Sequence, residues 1–183
     1  MAVNPEHPTA QNEVLDWFNS LAPVDPGEMV GLWRGIGHPS GHPLDGVLEN
    51  LDWFGKRFHT NMRADALLFE GAPGELLAIE PAYFPIRRAM DFAGLGRRGW
   101  VRNLFSHLKH RLRAHGTTAS LRLRMDEGVL TAAMEYDRQP IVDFFRQSPN
   151  GAVIGKMVVD GDPRRYFFRL EKIDGGSSPT KSL

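Results

Sequence analysis

The chain reads as a mainly β protein that closes an antiparallel barrel of about eight strands, with helices at its periphery. Three observations predict this. Residues 119–125 alternate Leu121, Leu123 and Met125 with Arg122 and Arg124, and after Asp126-Glu127-Gly128 residues 129–136 return with Leu130, Ala132, Met134 and Tyr136 on one face, the pattern of two strands joined by a hairpin turn. Gly31-Leu32-Trp33-Arg34-Gly35 sets Trp33 between two glycines on one face of a strand. Other short apolar segments follow at meander spacing, and closing them into a ring removes exposed strand edges.

Taken in order, residues 9–21 predict a helix. Thr9 is placed to cap it, Val14, Leu15, Phe18 and Leu21 recur at helical spacing, Trp17 widens that stripe, and Pro23 ends it. Such a helix covers an open barrel end or packs on the outer wall. Asp25-Pro26-Gly27-Glu28 is a capping box with proline at the first helical position, a single turn that would plug the barrel mouth before Trp33. Flanking glycines let the indole lie against the backbone and let another segment approach closely.

Gly37 to Pro43 is a loop dense in breakers, and His38 and His42 within it are expected to face solvent. Pro43 to Leu51 predicts a short helix carrying Asp45, and residues 53–58 a second strand. Residues 67–70 and 75–79 predict a hairpin across Gly71-Ala72-Pro73-Gly74. Residues 86–116 carry Arg87, Arg88, Arg97, Arg98, Arg102, Lys109, Arg111 and Arg113 against one acid, Asp91. Trp100, Val101, Leu104, Phe105, Leu108 and Leu112 recur there at helical spacing, so the helix near 100–114 is amphipathic and basic. It packs on the barrel with a solvated basic face, or it greets an anionic ligand or an anionic membrane surface through residues 97–113. After strands 119–125 and 129–136, Pro140 to Phe145 is expected to form a short helical segment. A last hairpin joins 152–160 to 164–173 across Gly161-Asp162-Pro163. The expected division is one domain over 1–174, with a first half of about 25–85 and a second of about 117–173. Residues 175–183 read as a disordered tail.

Composition narrows the functional classes. At 183 residues the chain can bury a core of its own, and 42% hydrophobic with 24% charged residues is ordinary for a soluble globular protein. A formal net charge of zero supplies no global pull toward nucleic acid. The absence of cysteine excludes disulfides and thiolate metal sites and fits a reducing cytoplasm. No apolar run approaches the roughly 18 residues of a membrane span, and the N-terminal residues lack the pattern of a signal peptide. A serine triad, a phosphate loop and zinc spacings are all missing. His38 and His42 have no third ligand evident nearby, so no metal is expected.

Two blocks carry a resemblance. Residues 31–35 with Gly41-His42-Pro43-Leu44-Asp45-Gly46 and Gly55-Lys56-Arg57-Phe58 resemble the GXWXG protein family of bacteria. Residues 132–141 with Asp143-Phe144-Phe145-Arg146 resemble the domain of unknown function that usually follows it. The resemblance implies a lipocalin-like (calycin) barrel. Lipocalins place a late basic side chain over the tryptophan of the first strand, a role open here to Arg169 or Lys172. The opening is also similar to nitrobindin-type haem proteins, which use a late histidine as axial ligand. No histidine follows His115, so no haem or other cofactor is expected.

An eight-stranded barrel has room for one small ligand. Trp33, Phe58, Leu123, Met134 and Tyr136 are the candidate wall, with Lys56 placed to orient an acidic head. A buried Lys56 requires a carboxylate, and Asp45 and Asp137 are the candidates within the matched motifs. The first expectation is an intracellular binding protein for a small hydrophobic, acidic ligand. The alternative is an isomerase, cyclase or decarboxylase using Tyr136 and Asp137. Third comes a structural or interaction protein with a filled core. Oligomeric state is left open.

Overall fold

The computed structural model describes residues 10–84, 86–91, 94 and 98–173. Ten strands form one antiparallel sheet: β1 (Ala22–Pro23), β2 (Gly31–His38), β3 (Trp53–Phe58), β4 (Arg63–Glu70), β5 (Leu76–Ala78), β6 (Ala119–Asp126), β7 (Val129–Tyr136), β8 (Ile141–Gln147), β9 (Val153–Val159) and β10 (Arg165–Ile173). Eight of them close a ring in the order β2-β3-β4-β6-β7-β8-β9-β10, with β10 paired back onto β2. β5 hangs off β4, and β1 pairs with β8. The helices are α1 (Gln11–Ser20), α2 (Pro26–Met29), α3 (Val47–Asn50), α4 (Ile86–Asp91) and α5 (Gly99–Leu108), with a 3₁₀ turn at Pro81–Tyr83. Thr9, Arg97 and the tail lie outside the described residues.

One element departs from expectation. Residues 141–147 form strand β8 rather than a helical segment, and β8 is a stave of the ring. Its apolar run lacks alternation because both of its faces are covered: Ile141 and Phe145 face the lumen core, while Phe144 packs under α1. β4 also begins at Arg63, earlier than the apolar pattern marks it.

α2 is the capping box that Asp25 and Glu28 announce. The Gly27 amide donates to Asp25 Oδ1 at 2.8 Å, and the Asp25 amide donates to Glu28 Oε2 at 2.8 Å. This turn brings the Met29 carbonyl onto the Trp33 indole N–H at 2.6 Å. Lys172 lies over the indole ring, its Nζ 5.3 Å from the centroid, and donates to the Glu28 carbonyl at 3.1 Å. Arg169 instead pairs with Glu171 at 2.8 Å. Each glycine of the opening strand makes room for a neighbour. A side chain at Gly31 would crowd Lys172, and one at Gly35 would collide with the ring of Trp53. Gly55, at φ 149°, lies so close across the β2–β3 ladder that a Cβ there would run into the Trp33 carbonyl.

The interior therefore has two ends. At the α2 end, Met29, Trp33, Phe58, Met134 and Phe145 pack in the buried core, and none of them lines the cavity at the other end. At the other end α3, the 3₁₀ turn, α4 and α5 gather over the rim. α1 lies outside both, on the outer wall, where Val14 and Phe18 pack on Phe144, Ile154 and Phe167. Beneath it sits a buried cluster: Lys156 Nζ lies 2.7 Å from Asp126 Oδ1, and Arg146 Nη2 lies 3.3 Å from Asp126 Oδ2.

Deleting the Trp33 side chain removes the plug and its hydrogen bond together. Trp33→Ala is expected to lower unfolding free energy by about 3–5 kcal/mol. Urea denaturation followed by circular dichroism checks this, and an unchanged midpoint would contradict the packing described.

Candidate functional site

The rim opposite α2 opens into a cavity of about 140 Å³. Its wall is apolar: Leu44, Val47, Leu48 and Leu51 from the α3 segment, Phe84 from before α4 and Ile86 from its first position, Phe105 from α5, and Ile141, Met157 and Phe168 from the strands. Trp53, Lys56, Tyr136, Gln139, Asp143 and Tyr166 supply the polar atoms.

Strand register builds the polar floor. Lys56 lies opposite Trp33 on β3, and Asp143 lies opposite Met134 on β8. Both point inward, and they meet across the lumen with Lys56 Nζ 2.9 Å from Asp143 Oδ2, the side chains only 2% and 1% exposed. Lys56 also donates to the Ala66 carbonyl at 3.0 Å and to the Tyr136 hydroxyl at 3.3 Å. Tyr136 in turn donates to Asp143 Oδ2 at 3.4 Å. The ammonium rests over Phe168, 5.0 Å from its centroid, with Tyr136 and Trp53 at 5.6 and 5.8 Å.

Burial dominates the acid–base behaviour. It pushes the Asp143 carboxyl above its usual range, and the Lys56 ammonium with its hydrogen bond works in the opposite direction. It pushes the Tyr136 hydroxyl well above 10, with the Asp143 charge adding to the effect. Tyr166 is raised in the same way, chiefly by burial and then by Glu49. Both phenols thus keep their protons at neutral pH.

The residues singled out from sequence divide. Lys56 and Tyr136 line the cavity. Trp33, Phe58 and Met134 lie inside the ring but in its filled half. Leu123 is 46% exposed and outside the lining, because β6 pairs with β4 only at Ala119 and Ser120 and the β6–β7 hairpin then runs past the ring. Neither carboxylate proposed for Lys56 reaches it. Asp137 lies outside and pairs with Arg63. Asp45 Oδ2 accepts the amides of Ser40 at 2.9 Å and His42 at 3.0 Å, holding the breaker loop in shape. The partner of Lys56 is Asp143. Its signal was parity with the inward Phe145, legible only once residues 141–147 are read as a strand.

His42 is buried rather than solvent-facing, its Nδ1 accepting the Leu44 amide at 3.1 Å and its ring 5.5 Å from that of Tyr166. His38 stacks on Trp17 at 5.3 Å. Among the described residues no group of three or more His, Asp or Glu side chains is arranged to hold a metal, and no helix is long and apolar enough to cross a membrane.

The profile of the GXWXG protein family matches residues 16–74, and that of the Domain of unknown function (DUF4334) matches residues 117–172. The first segment supplies β2, β3 and β4, and the second supplies β6 to β10, so the ring closes only when both are present. No curated protein matches the chain. A solved structure described as a protein from Thermomonospora curvata superposes with a TM-score of 0.64 at 28% identity, over 90% of this chain and 88% of that one.

Two outcomes are expected. Removing one member of the buried pair strands the other charge, so Asp143→Leu should destabilise by about 3–5 kcal/mol, and adding Lys56→Met should restore most of the loss. A urea series on the single and double variants checks this; equal destabilisation of both would contradict it. His42 has its pKa lowered from 6.5 to about 4 by burial, with Asp45 opposing. Between those values the unfolded chain binds the proton and the folded chain does not. Stability should therefore fall as pH drops from 6.5 to 4 and level off below, by on the order of 3 kcal/mol. His42→Gln should flatten that segment of the melting-temperature profile; parallel profiles would refute the assignment.

Proposed function

For a chain that carries the GXWXG segment followed by its domain of unknown function, we propose a binding protein that holds one small apolar molecule in the open half of the ring. One observation carries this reading: the ring is filled at the α2 end and hollow at the other. The hollow is apolar except for a hydrogen-bonded Lys56–Tyr136–Asp143 floor. Apolar walls with a few fixed polar groups are the usual make-up of small-molecule sites. A structural protein would have no reason to leave about 140 Å³ unfilled, since such a void costs packing energy.

Asp143 also supports a second reading, a proton-transfer enzyme. Its carboxyl is raised by burial and sits beside the Tyr136 hydroxyl at the floor of an apolar-walled cavity, a setting in which carboxylates act as bases on carbonyl compounds. Asp137, on the outer surface with Arg63, has no part in it.

α5 is the proposed entry side. Phe105 reaches the cavity from one face of this helix, while Trp100, Leu104 and Leu108 stand exposed four residues apart on another. Arg98, Arg102, Lys109 and Arg111 lie within or next to this helix, and no acid lies between residues 92 and 125. That charge suits an anionic lipid surface as the source of an apolar ligand. Arg102 shares its charge with Asp52 at 2.9 Å, and Lys109 donates to the Glu70 carbonyl.

Native mass spectrometry of gently purified protein, with extraction of what it retains, tests the binding reading. One small apolar molecule per chain is the expected result, and Leu48→Trp, which fills the cavity, should abolish retention. Turnover of a retained carbonyl compound that is lost in Tyr136→Phe would favour the enzyme. Sedimentation with phosphatidylglycerol vesicles tests the entry side: binding should weaken about tenfold in Leu104→Ser, and binding unchanged in that variant would remove α5 from the account.

A further inference from the structure

We infer that the polar head of the ligand is a neutral hydroxyl, as in a small cyclic or branched alcohol or phenol, and not the carboxylate that a buried lysine invites. The inference rests on the lumen-binding reading and follows from counting donors and acceptors at the cavity floor.

Lys56 has three N–H groups, and all three have acceptors: Asp143 Oδ2, the Ala66 carbonyl and the Tyr136 hydroxyl. None is left for a ligand. The pair is also neutral as a unit, so a carboxylate entering the cavity would add an uncompensated charge beside Asp143. At this degree of burial that charge is costly.

The atoms without partners define the complementary group. Among the described residues, Asp143 Oδ1, Trp53 Nε1 and the Tyr166 hydroxyl are buried with no hydrogen bond; all three residues line this one cavity, and a ligand meets these atoms once the side chains covering them give way. Buried polar atoms ordinarily find partners. Asp143 Oδ1 can only accept, and Trp53 Nε1 can only donate. A hydroxyl both donates and accepts, so it satisfies the carboxylate oxygen while taking a bond from the indole or from Tyr166. A ketone leaves Asp143 Oδ1 unsatisfied, and a carboxylate leaves it facing a like charge. An ammonium head would satisfy Asp143 but leave the site with a net positive charge in an apolar wall.

The volume limits the body of the ligand. An apolar cavity of about 150 Å³ takes up benzene, so 140 Å³ suits one ring or a branched chain of similar bulk. A long acyl chain would have to protrude past Phe105.

The test is a matched series on the wild-type protein: cyclohexanol, cyclohexanone, methylcyclohexane and cyclohexanecarboxylate, followed by calorimetry and by amide shifts in NMR. Cyclohexanol is expected to bind at least tenfold tighter than methylcyclohexane and cyclohexanecarboxylate. In Asp143→Asn the side-chain oxygen can stay on Lys56 and turn the amide N–H₂ to the cavity, so preference should move to cyclohexanone. Trp53→Phe, which keeps the ion pair, should weaken alcohol and ketone alike and leave the hydrocarbon unchanged. If cyclohexanecarboxylate binds best, or if alcohol and hydrocarbon bind equally, the head-group inference is wrong while lumen binding stands. If no member of the series binds, both fail.

Discussion

The contact between Lys56 and Asp143 organises this protein. It joins β3, from the first matched segment, to β8, from the second, across the inside of the ring. Two opposite charges inside a barrel need a geometry good enough to offset their lost hydration, and this one uses every proton of the lysine. Aromatic rings then close around the ammonium, Phe168 nearest and Tyr136 and Trp53 beyond it. The pair also acts as a partition. Below it the side chains of Met29, Trp33, Phe58 and Met134 fill the ring; above it they retreat to the wall.

The glycines of the opening strand follow from the same demand for close packing. Trp33 can take its place only if Gly55 lets the β3 backbone approach its carbonyl, and Trp53 can reach the cavity wall only because Gly35 has no side chain in its path. Gly155 does the same for Phe168, whose ring a Cβ there would strike. Small residues on the wall are thus matched to large rings inside it, and the rings fix where the lumen is solid and where it is hollow.

Much of this was legible in the sequence. Alternation in β6 and β7, the capping box at Asp25 and the spacing around Trp33 each report on local structure, and the eight-stranded ring follows from them together. Lys172 over Trp33 was one of the two options, with Arg169, that the lipocalin resemblance implied. What escaped was long-range. A run such as Ile141 to Phe145 has no alternation when both faces are covered, so period alone cannot separate strand from helix. Asp143 went unnoticed with it, and Lys56 was given carboxylates nearer in motif than in space. Parity placed Leu123 with Leu121 on one face, but where the hairpin leaves the ring is set by how few residues β4 and β6 share. His42 was read as a loop residue, whereas burial against Tyr166 depends on contacts across more than 120 positions.

The claim at the centre of this account is that the ring is hollow on one side of the Lys56–Asp143 pair and solid on the other. Xenon probes that division directly, because it enters apolar cavities of this size without needing a polar partner. Amide shifts recorded under xenon pressure should move saturably at Leu48, Ile141, Met157 and Phe168, which line the cavity, and stay still at Trp33, Phe58 and Met134. Shifts centred on Trp33, or none at all, would contradict the account.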